Sequence, residues 1–359
     1  MTSSSGPSPG PGGQPRRPTL KDVAREAGFH VTTISLALRN HASIPEATRT
    51  RIKAIADQLG YEVNPVFHAL SRFRKSGRVR APAPRIAYIE NYGASTGFQR
   101  SVHMQQILEG ARRQAGVLGY ELDLLSLGED DMDAHAIAAH LAEHTITGIV
   151  IGAFIPGFAE LALNWDDYSV VKIHSRHTEP DVTVVANDQL REVRLAFRRL
   201  TALGYKRIGL AIGRADEDGC GHRHSAGFLM EQATVPLEQR VPPLMFSYYA
   251  SSEMLAGTLG RWVRRHDIDV VMCNWKNTRE MLETTGLSVP DQVAWACLCL
   301  TSADPQTAGM RPNLDLVGER AVSILVSKLK STERGTPEFP SSIYVQSSWQ
   351  DGASAPGRA

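Results

Sequence analysis

Thr32, Thr33 and Ser35 place three hydroxyls within four residues of the stretch KDVAREAGFHVTTISLAL, Lys21 to Leu38. A hydroxyl both donates and accepts a hydrogen bond, so it can meet a phosphate oxygen or a base edge. A threonine methyl or Leu36 can in turn pack on a thymine methyl.

That chemistry requires the hydroxyls to stand on the outward face of a helix, and the spacing of apolar residues predicts such a frame. Leu20, Val23, Ala24 and Ala27 make the inner stripe of a first helix, with Thr19 as cap, Asp22 as its capping-box partner and Gly28 permitting a tight exit. A second helix over about Val31 to Leu38 turns Ile34, Ala37 and Leu38 inward, leaving Thr32, Thr33, Ser35 and Leu36 outside. A third begins near Pro45, buries Ile52, Ile55, Ala56 and Leu59, and stops at Gly60. Two helices joined by a short glycine-containing turn form the helix-turn-helix geometry, whose second helix enters the DNA major groove.

Charge supports that reading. The whole chain carries only +1, yet between Arg16 and Arg80 Lys and Arg outnumber Asp and Glu by 13 to 5, leaving 26 against 33 elsewhere. A basic head therefore precedes an acidic body, the distribution that attracts a polyanion to one end.

With 359 residues, 42% hydrophobic, the chain is long enough for two or three globular units. No run reaches the roughly eighteen apolar residues of a membrane helix, and MTSSSGPSPGPGGQ has neither a charged nor an apolar leader region, which predicts a cytoplasmic location without membrane contact. Cys220, Cys273, Cys297 and Cys299 form no CxxC pair and read as reduced thiols. From Arg85 onward the runs RIAYIE, YELDLLSL, GIVIGA, YSVVKIH, VTVVAN, RIGLAI, VVMCN and VAWACLCL alternate with helical segments. Such alternation predicts parallel sheets with right-handed crossovers in two sub-domains.

The segments TLKDVAREAG, the TxIS of Thr32 to Ser35 and IPEATRTRIKAIADQLGYEVNP, followed by the sheet-rich remainder, resemble the lactose-repressor family of bacterial transcription regulators over roughly residues 19 to 352. The resemblance implies a small all-α helix-turn-helix head with a hinge helix, joined to an α/β periplasmic-binding-protein-like domain of two doubly wound sub-domains. It assigns base reading to Val31, Thr32 and Leu36, and phosphate contacts to Thr19, Thr33, Ser35 and Arg49. Two positions depart from the family habit: His30 stands where a serine cap is usual, and Leu36 where an arginine or similar polar reader is common. In NPVFHALSRFRK, Asn64 is a natural cap and Pro65 a first-turn residue; the resemblance makes this the hinge helix and Leu70 its minor-groove wedge. NLDLVGERAVSILVSKLKS, Asn313 to Ser331, is an amphipathic helix that the family packs near its dimer interface.

The implied domain layout is a tail over 1–18, a DNA-binding domain over 19–63, a hinge over 64–76, a linker over 77–84 and a ligand and dimerisation domain over 85–352, with crossings between sub-domains near 187, 305 and 339. Sugar-sensing relatives grip hydroxyls with an arginine ahead of a Gly-Phe pair, an asparagine after one strand and an aspartate after the next. Here His224 precedes Gly227-Phe228, Asn274 is kept, and Cys299 falls in the aspartate's place, so two of the three grips are absent and an ordinary hexose is disfavoured. Tyr92, Tyr248, Tyr249 and Trp275 could line the cleft for a less polar or ring-shaped ligand. His222, Arg223 and His224 with Asp218 show no further ligand at helical spacing, so they read as a polar rim, and neither a metal nor a cofactor is expected.

The expected partners are a double-stranded DNA operator, a small-molecule effector and a second copy of the chain, since one head reads only a half-site. On these residues the protein is a dimeric repressor, nucleoid-associated when bound to its operator. Three rivals remain at this stage. An enzyme lacks its GxGxxG, P-loop, GxSxG or HExxH motif. An exported solute-binding protein leaves the basic head unexplained. A regulator that has lost its ligand and acts through dimerisation or a protein partner is kept alive by the altered cleft.

Overall fold

The computed structural model describes residues 20–38, 44–59, 83–92, 101–128, 132–152, 154–155, 161–174, 178–247, 251–302 and 304–358, without the side chains of residues 20, 21, 32, 35 and 252. The chain divides into two compact units at residues 81–82.

The first unit contains α1 (Leu20–Ala27), α2 (Val31–Leu38) and α3 (Glu46–Gln58). Gly28 ends α1 at a φ of +72°, a left-handed conformation that costs a residue without Cβ little. Its core is Val23, Ala24, Ala27, Ile34, Ala37, Ile52 and Ala56, with Leu38, Ile55 and Leu59 packed at the margin. The helical periodicity located these residues. Pro45, expected in the first turn of α3, is instead the residue before it, and its carbonyl accepts from the Thr48 and Arg49 amides.

The second unit has two lobes. The first lobe starts with β1 (Arg85–Glu90), α4 (Val102–Val117), β2 (Glu121–Ser126), α5 (Ala134–Glu143), β3 (Gly148–Ile151), β4 (Ser169–Ile173) and β5 (Val184–Asn187). The second contains α6 (Gln189–Ala202), β6 (Ile208–Gly213), α7 (Arg214–Cys220), α8 (Arg223–Gln232), β7 (Leu244–Phe246), α9 (Ser252–Arg265), β8 (Val270–Cys273), α10 (Thr278–Thr284), β9 (Ala294–Cys297) and β10 (Ala308–Arg311). The chain then adds α11 (Leu314–Ser331) and β11 (Ser342–Val345) to the first lobe and β12 (Ser348–Gln350) to the second.

The first sheet, ordered β11-β5-β4-β3-β1-β2, is parallel throughout. The second, ordered β12-β10-β9-β8-β6-β7, is parallel except for β12. Helices cover both faces, which is why the central strands read as unbroken apolar runs rather than alternating ones. The α/β fold of two doubly wound lobes is thus as the sequence predicts.

The chain passes between lobes after Asn187, between Arg311 and Leu314, and between Val345 and Ser348. The expected crossings near 305 and 339 are therefore corrected downstream, because the short strands β10 and β11 complete their sheets first. The apolar side of α11, with Val317, Ala321, Val322 and Leu325, packs within the first lobe's own core against α4 and the sheet. Among the described residues no helix is long and apolar enough to cross a membrane.

Candidate functional site

On α2 the inward residues are Ile34 and Ala37, both fully buried, whereas Val31, Thr33 and Leu36 are half-buried, Val31 against the margin of the core. The helix starts without a serine cap; the His30 carbonyl accepts from the amides of Thr33 at 2.8 Å and Ile34 at 3.1 Å. Thr32 and Ser35 share this helix, and Arg49 lies on the first turn of α3. The expected contacts at Thr19, Asn64 and Leu70 fall outside the described residues, as do Tyr248 and Tyr249.

The second candidate site follows from topology. In parallel α/β sheets ligands bind beyond the carboxyl ends of the strands. Asn91 and Tyr92 follow β1, Asp188 follows β5, Asp216 lies in the first turn after β6, and Asn274 and Trp275 follow β8. Two hydrogen bonds from α4 span the lobes: His103 Nε2 lies 3.2 Å from the Cys299 carbonyl, and Gln106 Nε2 donates to the Thr301 carbonyl at 2.8 Å. Burial holds His103 below the ordinary imidazole value, and since a carbonyl only accepts, the neutral ring carries its proton on Nε2.

At the first crossing the polar groups interlock. The buried Glu192 accepts from Asn187 Nδ2 at 2.8 Å and from the Ser347 hydroxyl, while Gln189 Nε2 donates to Asn187 Oδ1 at 3.1 Å. Burial pushes the Glu192 carboxyl above its usual range, against the opposing effect of those two donors. Arg223 Nη2 donates to Asp188 Oδ1 at 2.9 Å, and its guanidinium lies 4.3 Å from the centre of the Tyr344 ring. Among the described residues, Gln189 Oε1 and Arg223 Nε at this crossing, and Asn274 Oδ1 at the end of β8, are buried with no hydrogen-bond partner. Buried polar atoms are nearly always paired, so these can take a ligand's complementary groups.

Trp275 stacks on Phe246 with ring centres 4.7 Å apart and donates from Nε1 to Asp216 Oδ2 at 3.1 Å. Burial, helped by the charges of Glu90 and Asp216, pushes the Tyr92 hydroxyl up to about 12, so it stays a neutral phenol. Cys299 packs against the first lobe's core, an apolar setting in place of the hydroxyl-gripping carboxylate.

His224 departs from the expected rim. It is buried, its Nδ1 lies 2.9 Å from Glu217 Oε1 and 3.3 Å from Cys220 Sγ, and the carboxylate partner is Glu217 rather than Asp218. Asp218 lies 3.8 Å from His222 instead, because Gly221 and His222, with φ values of +68° and +58°, turn the chain and return His224 to Glu217. Glu217, Glu192 and Asp188 carry no motif signal in the sequence, and Arg223 reads there only as part of a polar rim; the fold ties Asp188 and Arg223 together at the crossing.

Comparison with known proteins places these features. A model described as bacterial regulatory proteins, lacI family, matches residues 19–64, and one described as periplasmic binding proteins and sugar binding domain of LacI family matches residues 97–279. The transcriptional regulator PtxS of Pseudomonas plecoglossicida is 28% identical over 54% of this chain and 53% of its own length. DegA of Bacillus subtilis, also a transcriptional regulator, is 22% identical over 84% of this chain and 89% of its own. The chain thus spans about half of PtxS and most of DegA. In fold it is similar to the complex of the transcriptional regulator CelR with cellobiose, TM-score 0.55 at 18% identity, covering 94% of this chain and all of that one. It is likewise similar to the lac repressor dimer bound to operator and the anti-inducer ONPF, TM-score 0.54 at 14% identity over 95% of this chain and all of that one. With both modules matched in order, a helix-turn-helix head and then a two-lobed ligand domain, the chain belongs to the LacI family of bacterial transcription regulators.

Proposed function

We propose that this regulator is a repressor that binds a near-palindromic operator as a homodimer and is controlled by a small molecule held between the lobes. The single observation that carries the DNA-binding half is the division of α2: Ile34 and Ala37 fill the head's small core with Val31 at its margin, while Thr33 and Leu36 stay partly exposed on the helix that also carries Thr32 and Ser35. In this reading Val31, Thr32 and Leu36 meet base edges, Thr19, Thr33, Ser35 and Arg49 hold phosphates, and Asn64 caps a hinge helix whose Leu70 opens one minor-groove step. The protein works in the cytoplasm, on the nucleoid when operator-bound.

The orphaned Gln189 Oε1, Arg223 Nε and Asn274 Oδ1 favour a liganded cleft over a regulator acting through dimerisation alone. They ask for a small ligand with both hydrogen-bond donors and an acceptor or anionic group. A plain hexose is a poor fit because His224 is engaged by Glu217 and Cys299 faces apolar residues. Any effector must bind the two lobe arrangements unequally to alter DNA affinity.

Selection from a random duplex pool, followed by salt titration of the winner against scrambled DNA, tests the first half. A near-palindromic winner with a steep salt dependence supports it, and no enrichment with equally weak binding to all DNA removes it. A screen of small polar metabolites for a rise in Tm and a change in operator affinity tests the second.

A further inference from the structure

The segment Glu-Asp-Gly-Cys-Gly-His-Arg-His, Glu217 to His224, folds three potential metal ligands onto one point. Cys220 Sγ and His224 Nδ1 are 3.3 Å apart, His224 Nδ1 and Glu217 Oε1 are 2.9 Å apart, and Cys220 Sγ and Glu217 Oε1 are 3.9 Å apart. A point equidistant from these three atoms lies about 2 Å from each, which is the length of zinc–nitrogen and zinc–oxygen bonds and slightly short of a zinc–sulfur bond.

Other contacts hold the carboxylate in place. Glu217 Oε2 accepts from the Ser225 hydroxyl at 2.5 Å, and the amides of His224 and Ser225 donate to Oε1 at 3.0 and 3.3 Å. Outer hydrogen bonds of this kind orient ligands in metal sites. His222 stands at the solvent side, 66% exposed in its side chain, with Nδ1 3.8 Å from Glu217 Oε2. It offers both a fourth ligand and a way in for the ion.

We propose that Glu217, Cys220 and His224, with His222 closing the fourth position, bind one zinc ion beside the first crossing of the ligand domain. The ion replaces the thiol proton of Cys220 and the Nδ1 proton that His224 directs at Glu217, and both protons pass to solvent. Arg223, between the two histidines, holds Asp188 at the crossing. The metal therefore fixes the start of α8 where the lobes are joined, which makes the regulator's stability depend on metal supply.

The test uses the full chain stripped with chelator and titrated with cobalt(II), whose bond to a thiolate gives a charge-transfer absorption band. The expected result is one equivalent bound with that band, bleached by zinc, and a Cys220→Ser variant with no band and zinc affinity reduced by more than about 100-fold. Absence of the band in the parent chain, or its survival in Cys220→Ser, overturns the proposal. Should the serine variant fail to fold, His222→Ala at the exposed position carries the test: a fall of at least about tenfold in zinc affinity supports the site, and unchanged affinity overturns it.

Discussion

Arg223 reaches Asp188 at 2.9 Å and lies over Tyr344, so one guanidinium at the start of α8 holds the first crossing and touches the last strand of the opposite lobe. A planar fork that also stacks is something lysine cannot supply. Arg223→Ala should cost about 1–2 kcal/mol, read as a Tm lower by about 2–6 °C. Arg223→Lys should recover only part of the loss; full recovery would leave charge alone as the explanation and dismiss the stacking.

Helices α4 and α11 touch backbone to backbone. A Cβ at Gly318 would sit 2.0 Å from the Ile107 carbonyl oxygen, and one at Gly110 would sit 2.0 Å from that of Asp315. Alanine gains roughly 1 kcal/mol of helix propensity over glycine, too little to offset a clash that backbone cannot yield to. Gly318→Ala should therefore lower the Tm of the ligand domain by about 5–10 °C. An unchanged or raised Tm would show that the two helices part freely.

The elements the sequence revealed are those with strong local pattern. The helices of the head follow from Val23, Ala27, Ile34 and Ile52 at helical spacing, and eight strands follow from apolar runs, buried on both faces in all but the alternating edge strand β2. Strands β7, β11 and β12 are short strands at sheet edges, and β10 reads Ala-Gly-Met-Arg, so none offers an apolar run long enough to find. The cleft was the least legible part. Asn274 is named through the family resemblance and Trp275 as a candidate cleft aromatic, and both stand directly after β8. Glu192, by contrast, meets Ser347 across most of the ligand domain, and Glu217 meets His224 only through two left-handed residues.

Asp123 on β2 is held by Arg85 at 2.6 Å from β1 and by His140 at 2.8 Å from α5. Burial alone would raise its carboxyl, yet the bonds from His140 and Arg85 outweigh that and set it below the ordinary 3.8. A depressed folded value contributes stability that is present above 3.8 and lost as the pH falls through the lower folded value. Asp123→Asn should lower Tm by a few degrees at neutral pH, with the two curves converging in acid. A constant gap down to low pH would assign the effect to packing.

Leu36 and Arg49 separate the two kinds of DNA contact proposed for the head. Leu36 is half-buried on α2, and no polar atom of its side chain can bond a base, so its discrimination rests on apolar contact with a thymine methyl. Leu36→Ala should relax preference at one base-pair position by about 1 kcal/mol while leaving the salt dependence unchanged. Arg49, at the start of α3, neutralises a phosphate in this reading. Arg49→Ala should weaken binding on every sequence alike and reduce the salt slope by about one ion. Titrations of both variants against the selected operator and its single-position changes distinguish the roles. Should Arg49→Ala alter preference at one position with its slope intact, Arg49 belongs among the base readers and the docking of α2 must be shifted along the groove.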